Sequence, residues 1–119
     1  MLLVDAANVV GSRPTGWWRD RPGAARKLVE QLRAATAAGT LTPPVVVVLE
    51  GAAVRGAPEG VADGVEVVHA PGSGDDALAA LAATAGEPRL LVSADRGLRE
   101  RVRRTGAEVV GPSWLLDRL

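Results

Sequence analysis

The sequence predicts an α/β fold: a three-layer α/β/α sandwich around a mostly parallel sheet of four or five strands. Three observations carry this. Apolar runs of strand length recur at residues 1–4, 45–49, 65–69 and 90–93, stretches with apolar residues at helical spacing separate them, and the alternation spans all 119 residues. A chain that alternates strand and helix at these lengths closes as parallel strands joined by right-handed crossovers. Residues 1–119 are read as one domain, long enough for one core but not for two.

Met1-Leu2-Leu3-Val4 is the first strand and ends at Asp5. A Gly- and Pro-containing loop is expected over 11–23. From Ala24 through Leu28, Leu32 and Ala35 the apolar positions recur at helical spacing, with Arg26, Lys27, Glu30 and Arg33 on the other side and Gly39 as a stop. Val45-Val46-Val47-Val48-Leu49 is a continuous run suited to a strand covered on both faces. After a loop over 51–64, Val65 to His69 forms the next strand, followed by a loop over 70–74. Asp75-Asp76 then precede Leu78, Leu81, Ala82 and Ala85, where acids suit the positive end of a helix. Leu90-Leu91-Val92-Ser93 is the fourth strand. A helix from about Arg96 to Thr105 ends near Gly106, Val109-Val110 is a short last strand, and Pro112-Ser113 opens a terminal helix that buries Trp114, Leu115 and Leu119. In the common doubly wound orders the first strand is central and borders the point where the winding reverses.

Composition removes whole classes of chemistry. Cysteine is absent, so disulfides, thiolate metal sites and cysteine nucleophiles are excluded, which fits a reducing, cytoplasmic setting. His69 is the single histidine, too little for a zinc site or a serine–histidine triad. No apolar run approaches the roughly 20 residues that cross a bilayer, so no membrane association is expected. The chain starts on a strand-like segment without the features of a secretory signal, so no export is expected. With 14 basic and 14 acidic residues the net charge is zero, and any attraction for a polyanion has to be local.

The chemistry therefore falls to carboxylates. Asp5, the pair Asp75-Asp76 and Asp95 each follow a predicted strand, and the carboxyl ends of parallel strands line one crevice. Acids gathered there would repel one another and call for a hard divalent cation, which binds through a few oxygens and keeps several waters. Each has a plainer reading: Asp5 as a turn or cap residue, Asp75 and Asp76 as helix caps. Glu50 also ends a strand, as an accessory ligand or as a solvated loop acid. His69 reads as a strand-end surface residue, and Ser73 and Ser93 lack a base to activate them.

Three segments, Leu3-Val4-Asp5-Ala6-Ala7-Asn8-Val9-Val10-Gly11-Ser12, Gly72-Ser73-Gly74-Asp75-Asp76-Ala77-Leu78 and Val92-Ser93-Ala94-Asp95-Arg96-Gly97-Leu98, together resemble the NYN group of PIN-like domains, a metal-dependent ribonuclease superfamily. The resemblance covers nearly the whole chain in order. It implies a PIN-like topology and an acidic pocket holding Mg²⁺ or Mn²⁺ for hydrolysis of RNA phosphodiesters. On that resemblance Asp5, Asp75, Asp76 and Asp95 are catalytic and metal-binding acids and Asn8 is the amide that follows the first. Ala6 stands where relatives often have Gly, and Arg96-Gly97 where many carry a further acid. Those departures imply one firmly held metal and a second that arrives with substrate.

The loop Arg13-Pro14-Thr15-Gly16-Trp17-Trp18-Arg19-Asp20-Arg21 interleaves cations with aromatics, a combination suited to single-stranded RNA, where bases stack and Arg grips phosphate. One Trp is expected to anchor the loop and the other to face solvent. Arg13, Trp17, Trp18, Arg19 and Arg21 are thus the candidate substrate-binding residues, with Arg96 extending the track and Arg99 and Arg103 on the same helical face. Competing folds lack their marks. The acidic pair follows the third strand rather than the first, as a receiver domain would need, Asp5-Ala6-Ala7 is not the Asp-x-Asp of a dehalogenase-like phosphatase, and no Gly-rich turn follows the first strand. The alternative function is a catalytically inactive RNA- or partner-binding module. A toxin of an antitoxin-controlled pair would use the same chemistry, and a homodimer is left open.

Overall fold

The computed structural model describes residues 1–84 and 88–119. The sheet runs β3-β4-β2-β1-β5-β6, with β1 Leu2–Asp5, β2 Val45–Leu49, β3 Gly60–Ala62, β4 Val65–His69, β5 Leu90–Val92 and β6 Glu108–Val110. Every pairing is parallel except the antiparallel β3–β4 ribbon at one edge. The helices are α1 Ala6–Gly11, α2 Arg21–Ala37, α3 Gly74–Ala82, α4 Arg96–Arg103 and α5 Pro112–Leu116, with 3₁₀ turns at Trp17–Arg19 and Gly51–Gly56. None of the helices described is long and apolar enough to cross a membrane.

Strand alternation divides the core into two layers. Leu2, Val4, Val45, Val47 and Leu49 pack with Val9 of α1, Leu28 and Leu32 of α2 and Leu115 of α5. Leu3, Val46, Val48 and Leu91 face the other way, toward Leu78 and Ala82 of α3 and Leu98 and Val102 of α4. The expected three-layer sandwich is the observed one, and β1 lies between β2 and β5, with the helices changing sides on either side of it. That junction is the reversal point where the carboxyl ends of neighbouring strands open a crevice.

Four elements differ from the sequence expectation. The sheet has six strands among the described residues, because Gly60–Ala62 folds back on β4 within the stretch read as loop 51–64. All three residues are exposed, so no apolar alternation marked them. A helix follows β1 directly: Asp5 caps it through Asn8 N, Ala6 and Val9 are buried on one face, and Ser12 closes it by donating its hydroxyl to Val9 O. The crossover helix begins earlier than Ala24, since Asp20 accepts from Gly23 N and Pro22 sits in the first turn, a position where its missing N–H costs nothing. Helix α4 stops at Arg103, and Ala85, assigned above to the apolar face of the preceding helix, lies outside the described residues.

The Gly51–Gly56 segment is seated on α2 by a close backbone approach. A β-carbon at Gly56 would fall 2.3 Å from Pro22 O and 3.0 Å from Arg26 N. Backbone on both sides leaves no flexible atom to yield. Gly56→Ala is therefore expected to lower stability by about 1–3 kcal/mol, as overpacking does, and to loosen the Gly51–Gly56 segment before the sheet. Chemical denaturation together with hydrogen exchange at residues 51–57 checks both parts.

Candidate active site at the carboxyl ends of the strands

Asp5 is the centre of the site. It ends β1 with only 5% of its surface exposed, and its two oxygens have separate tasks. Oδ1 accepts from Asn8 N at 3.4 Å and so caps α1, while Oδ2 accepts the Ser93 hydroxyl at 2.8 Å. Ser93, fully buried at the end of β5, in turn accepts from Asp95 N at 3.1 Å. Asp95 is exposed and caps α4, its Oδ1 accepting from Leu98 N at 2.8 Å. Asn8 ties the same two strands from the other side, its Oδ1 accepting from Ala94 N at 2.8 Å. Residues 5 and 95, far apart in sequence, are thereby joined through one hydroxyl.

The third arm comes from α3. Ser73, rather than either acid, is the cap of this helix, its hydroxyl accepting from Asp76 N at 3.2 Å. Gly74 N donates to Glu50 Oε2 at 3.0 Å, drawing the carboxylate that follows β2 against the start of α3. A β-carbon at Gly74 would meet Glu50 Oε1 at 2.9 Å, so a larger residue there would shift the Glu50 carboxylate. Asp75 is half-buried and faces this group. Asp76 is exposed and pairs with Arg101 of α4 at 3.0 Å.

Electrostatics register the convergence. Burial pushes the Asp5 carboxyl above its ordinary value, its Ser93 and Asn8 hydrogen bonds oppose that, and the charges of Asp75 and Glu50 push it further up. Partial burial likewise raises Asp75, as do Asp95 and Glu50; Arg101 works in the opposite direction, and Asp76 adds a smaller upward push. Glu50 and Asp75 thus act on Asp5, and Glu50 and Asp95 on Asp75. The proximity has a limit. Among the described residues no three His, Asp or Glu side chains come close enough to ligate one ion together. A donor set of hard oxygens, mutually repelling and spread round a crevice, fits a cation that keeps most of its waters and touches one or two carboxylates, which is how Mg²⁺ is commonly held.

Sequence reasoning underrated two residues here. Glu50 is part of the group rather than a solvated loop acid, and Ser93, dismissed as a nucleophile, is the bridge between Asp5 and Asp95. No local signal marked it, because the bridge is a contact across 88 positions. His69 takes the plainer reading: its Nε2 lies 2.7 Å from Ala57 O and its Nδ1 3.8 Å from Glu59.

The tryptophan loop divides as expected. Trp17 is half-buried in a cleft with Val10 of α1 and Ala25 of α2, whereas Trp18 is 57% exposed, its ring edge-on to Trp17 at 6.0 Å. The Arg19 guanidinium lies over Trp18 and that of Arg21 over Trp17, 5.8 and 5.5 Å from the ring centres. Arg13 is engaged on α2, donating to Gln31 Oε1 at 2.9 Å. Arg55, unmarked by the sequence, joins Arg19 and Arg21 around a hollow beside Trp18. On α4, Arg96 is exposed next to Asp95, Arg99 is half-buried, and Arg103 lies 3.9 Å from Glu100.

No protein-family profile matches the chain, and no curated protein sequence matches it. Solved structures do. The structure of Rae1 (YacP) from Bacillus subtilis superposes with a TM-score of 0.75 at 21% identity, over 98% of this chain and 71% of that one. A tryptophan-to-leucine mutant of the same protein gives 0.67 at 20% identity over the same shares. The likeness is one of fold.

The raised Asp5 and Asp75 carboxyls make a stability prediction. In the unfolded chain both ionise near 3.8; in the folded chain they hold their protons to higher pH, so the contribution of these two groups to stability is fully present below that value and is lost as pH rises through their folded values. Asp5→Asn retains a capping oxygen and removes a buried charge. In chelator it is expected to be at least as stable as the parent at pH 7, with its advantage shrinking as pH falls toward 4. Thermal unfolding of both proteins across that range is the check, and lower stability of the variant at every pH would assign Asp5 a purely structural role.

Proposed function

We propose that this chain is an NYN-type, PIN-like ribonuclease that hydrolyses single-stranded RNA with a divalent cation, Mg²⁺ or Mn²⁺, in its carboxylate crevice. The observation that carries the reading is the coupled set Asp5, Glu50, Asp75 and Asp95 at the reversal point of the sheet. The ordered motifs around Asp5, Asp75-Asp76 and Asp95 support it. One or two of Asp5, Asp75 and Asp95 would touch the ion directly and the remainder would meet it through its waters, while Asp76 stands one position outward on Arg101. When bound, the cation would supply an activated water and offset the charge that builds on the phosphate.

The chain's own residues do the rest. Ser93 and Asn8 N fix the Asp5 carboxylate in one orientation, so its lone pairs are presented without a search over rotamers. Asp95 is aimed by the first turn of α4. Glu50, held by Gly74 N, adds negative charge beside Asp75 and so strengthens the attraction of the crevice for a cation. RNA would cross the crevice from the Trp17–Arg19 turn toward Arg96, with a base against the exposed Trp18 ring and phosphates on Arg19 and Arg55. Arg13, already bonded to Gln31, is the least available of the loop cations.

The spread of the carboxylates favours one second reading, an RNA-binding module that has lost cleavage, since no three acids meet at ligating distance among the described residues. End-labelled single-stranded RNA incubated with Mg²⁺, Mn²⁺ or chelator separates the two. Cleavage in metal and none in chelator, abolished by Asp5→Asn and by Asp95→Asn, is the expected result; binding without cleavage in any metal would replace the nuclease with the binding module.

Two further variants test the parts. Ser93→Ala leaves every carboxylate in place but removes the hydroxyl that orients two of them, and should cost about 10–100-fold in metal affinity or cleavage. Trp18→Ala should weaken RNA binding by about 1–3 kcal/mol if a base stacks on that ring. Titration of metal and of labelled RNA in a filter-binding assay reads each. A Trp18→Ala variant that binds as the parent does would move the RNA path away from the loop.

A further inference from the structure

Beside the carboxylate crevice, and sharing Glu50 with it, lies a cleft of about 290 Å³ between α1, the Trp17–Arg19 turn, α2 and the Gly51–Gly56 segment. Its walls are mostly small and apolar, including Ala7, Val10 and Ala53, with the edge of the half-buried Trp17 on one side. The charged residues in its lining are Arg21, whose guanidinium lies 5.5 Å from the centre of the Trp17 ring, and Glu50, whose Oε2 accepts from Gly74 N and leaves Oε1 without that bond. Ligand pockets run from roughly 300 to 1,000 Å³, so this one admits a single ring system and not a stretch of oligonucleotide.

The two charged groups narrow the choice of ring. Arg21 offers donors only, and Glu50 acceptors only. Guanine is the base with two adjacent donors, N1–H and the N2 amino group, to meet a carboxylate, and with two adjacent acceptors, O6 and N7, to meet a guanidinium. Adenine and cytosine place a ring-nitrogen acceptor beside their amino group, and a carboxylate repels it. Uracil has one donor between two carbonyls. The neighbouring hollow carries Arg19 and Arg55. A ring in the cleft therefore has cations at hand for its phosphate.

We propose that this cleft is a single-base pocket selecting guanine in the RNA strand, with Glu50 accepting from the base's donor edge, Arg21 donating to its acceptors, and Trp17 packing against the ring. The assignment rests on the proposed RNA substrate, and it gives that substrate a sequence preference: a guanine next to the phosphate in the crevice. Glu50 then belongs to two sites, touching the base on one side while its Oε2 remains on Gly74 N at the start of α3.

The test measures binding of GMP, AMP, CMP and UMP to the intact chain in chelator, by calorimetry or by amide shifts, so that it needs no metal and no cleavage. GMP is expected to bind at least about tenfold more tightly than the other three, in keeping with one well-formed bidentate contact. Ala53→Leu, which fills the cleft while every carboxylate is retained, should abolish the preference, and Glu50→Gln should reduce it. Folding of each variant is verified by circular dichroism, and Ala53→Met serves as the milder filler if Leu unfolds the chain. Equal binding of all four nucleotides, no binding, or GMP binding unchanged in the filled variant overturns the pocket even where metal-dependent cleavage persists. Guanine selectivity in a protein that does not cleave RNA upholds the pocket and overturns the nuclease.

Discussion

A carboxylate held almost out of solvent at the end of the central strand is the constraint on which the rest of the structure depends. Asp5 cannot be buried there without partners, since an unpaired buried charge is costly. Its partners are the groups that assemble the crevice: Asn8 N at the start of α1 and the Ser93 hydroxyl at the end of β5. Satisfying one oxygen starts a helix, and satisfying the other locks β1 to β5. The Ser93 hydroxyl then orients Asp95 through its backbone N–H, so the geometry of the second acid follows from the solvation of the first.

The arrangement is economical in local structure. Asp5 and Asp95 are helix caps as well as candidate ligands, so the plain and the functional readings of these residues coexist. The cost is electrostatic. Asp5 and Asp75 are both pushed upward by burial and by neighbouring acids, which makes the crevice a strained part of an otherwise well-packed sandwich. Under the proposed function that strain is what a cation relieves, and the affinity of the site draws on it. Arg101, reaching from α4 to Asp76, relieves part of it from outside, consistent with its lowering effect on Asp75.

Much of this was legible in the sequence, for identifiable reasons. The runs around Leu3, Val47 and Leu91 are continuous because their strands are covered on both faces, and Val65 and Val67 alternate with the exposed Glu66; neither pattern is mistaken for a loop. The order of elements then brings strand ends together, which is why Asp5 and Asp95 could be paired from sequence alone. What escaped were features without a periodic signal. Gly60–Ala62 is exposed throughout, and Ala6–Gly11 carries Val9-Val10, which read as strand formers, although the capping of Asp5 on Asn8 N decides for helix. Ser93 was invisible because its role lies in a contact across 88 positions, and Arg55 because only the close seat of Gly56 on α2 brings its segment to the tryptophan loop.

The central claim is that the coupled carboxylates form one cation site. Titrating Mn²⁺ into isotopically labelled protein and following paramagnetic broadening of backbone amides tests it most directly. The account predicts that residues 5–8, 74–76 and 93–95 broaden together, at one low Mn²⁺ concentration, ahead of the surface acids Asp63, Glu66 and Glu108. Broadening that begins at those surface acids, or that reaches the three segments at widely different concentrations, would contradict it.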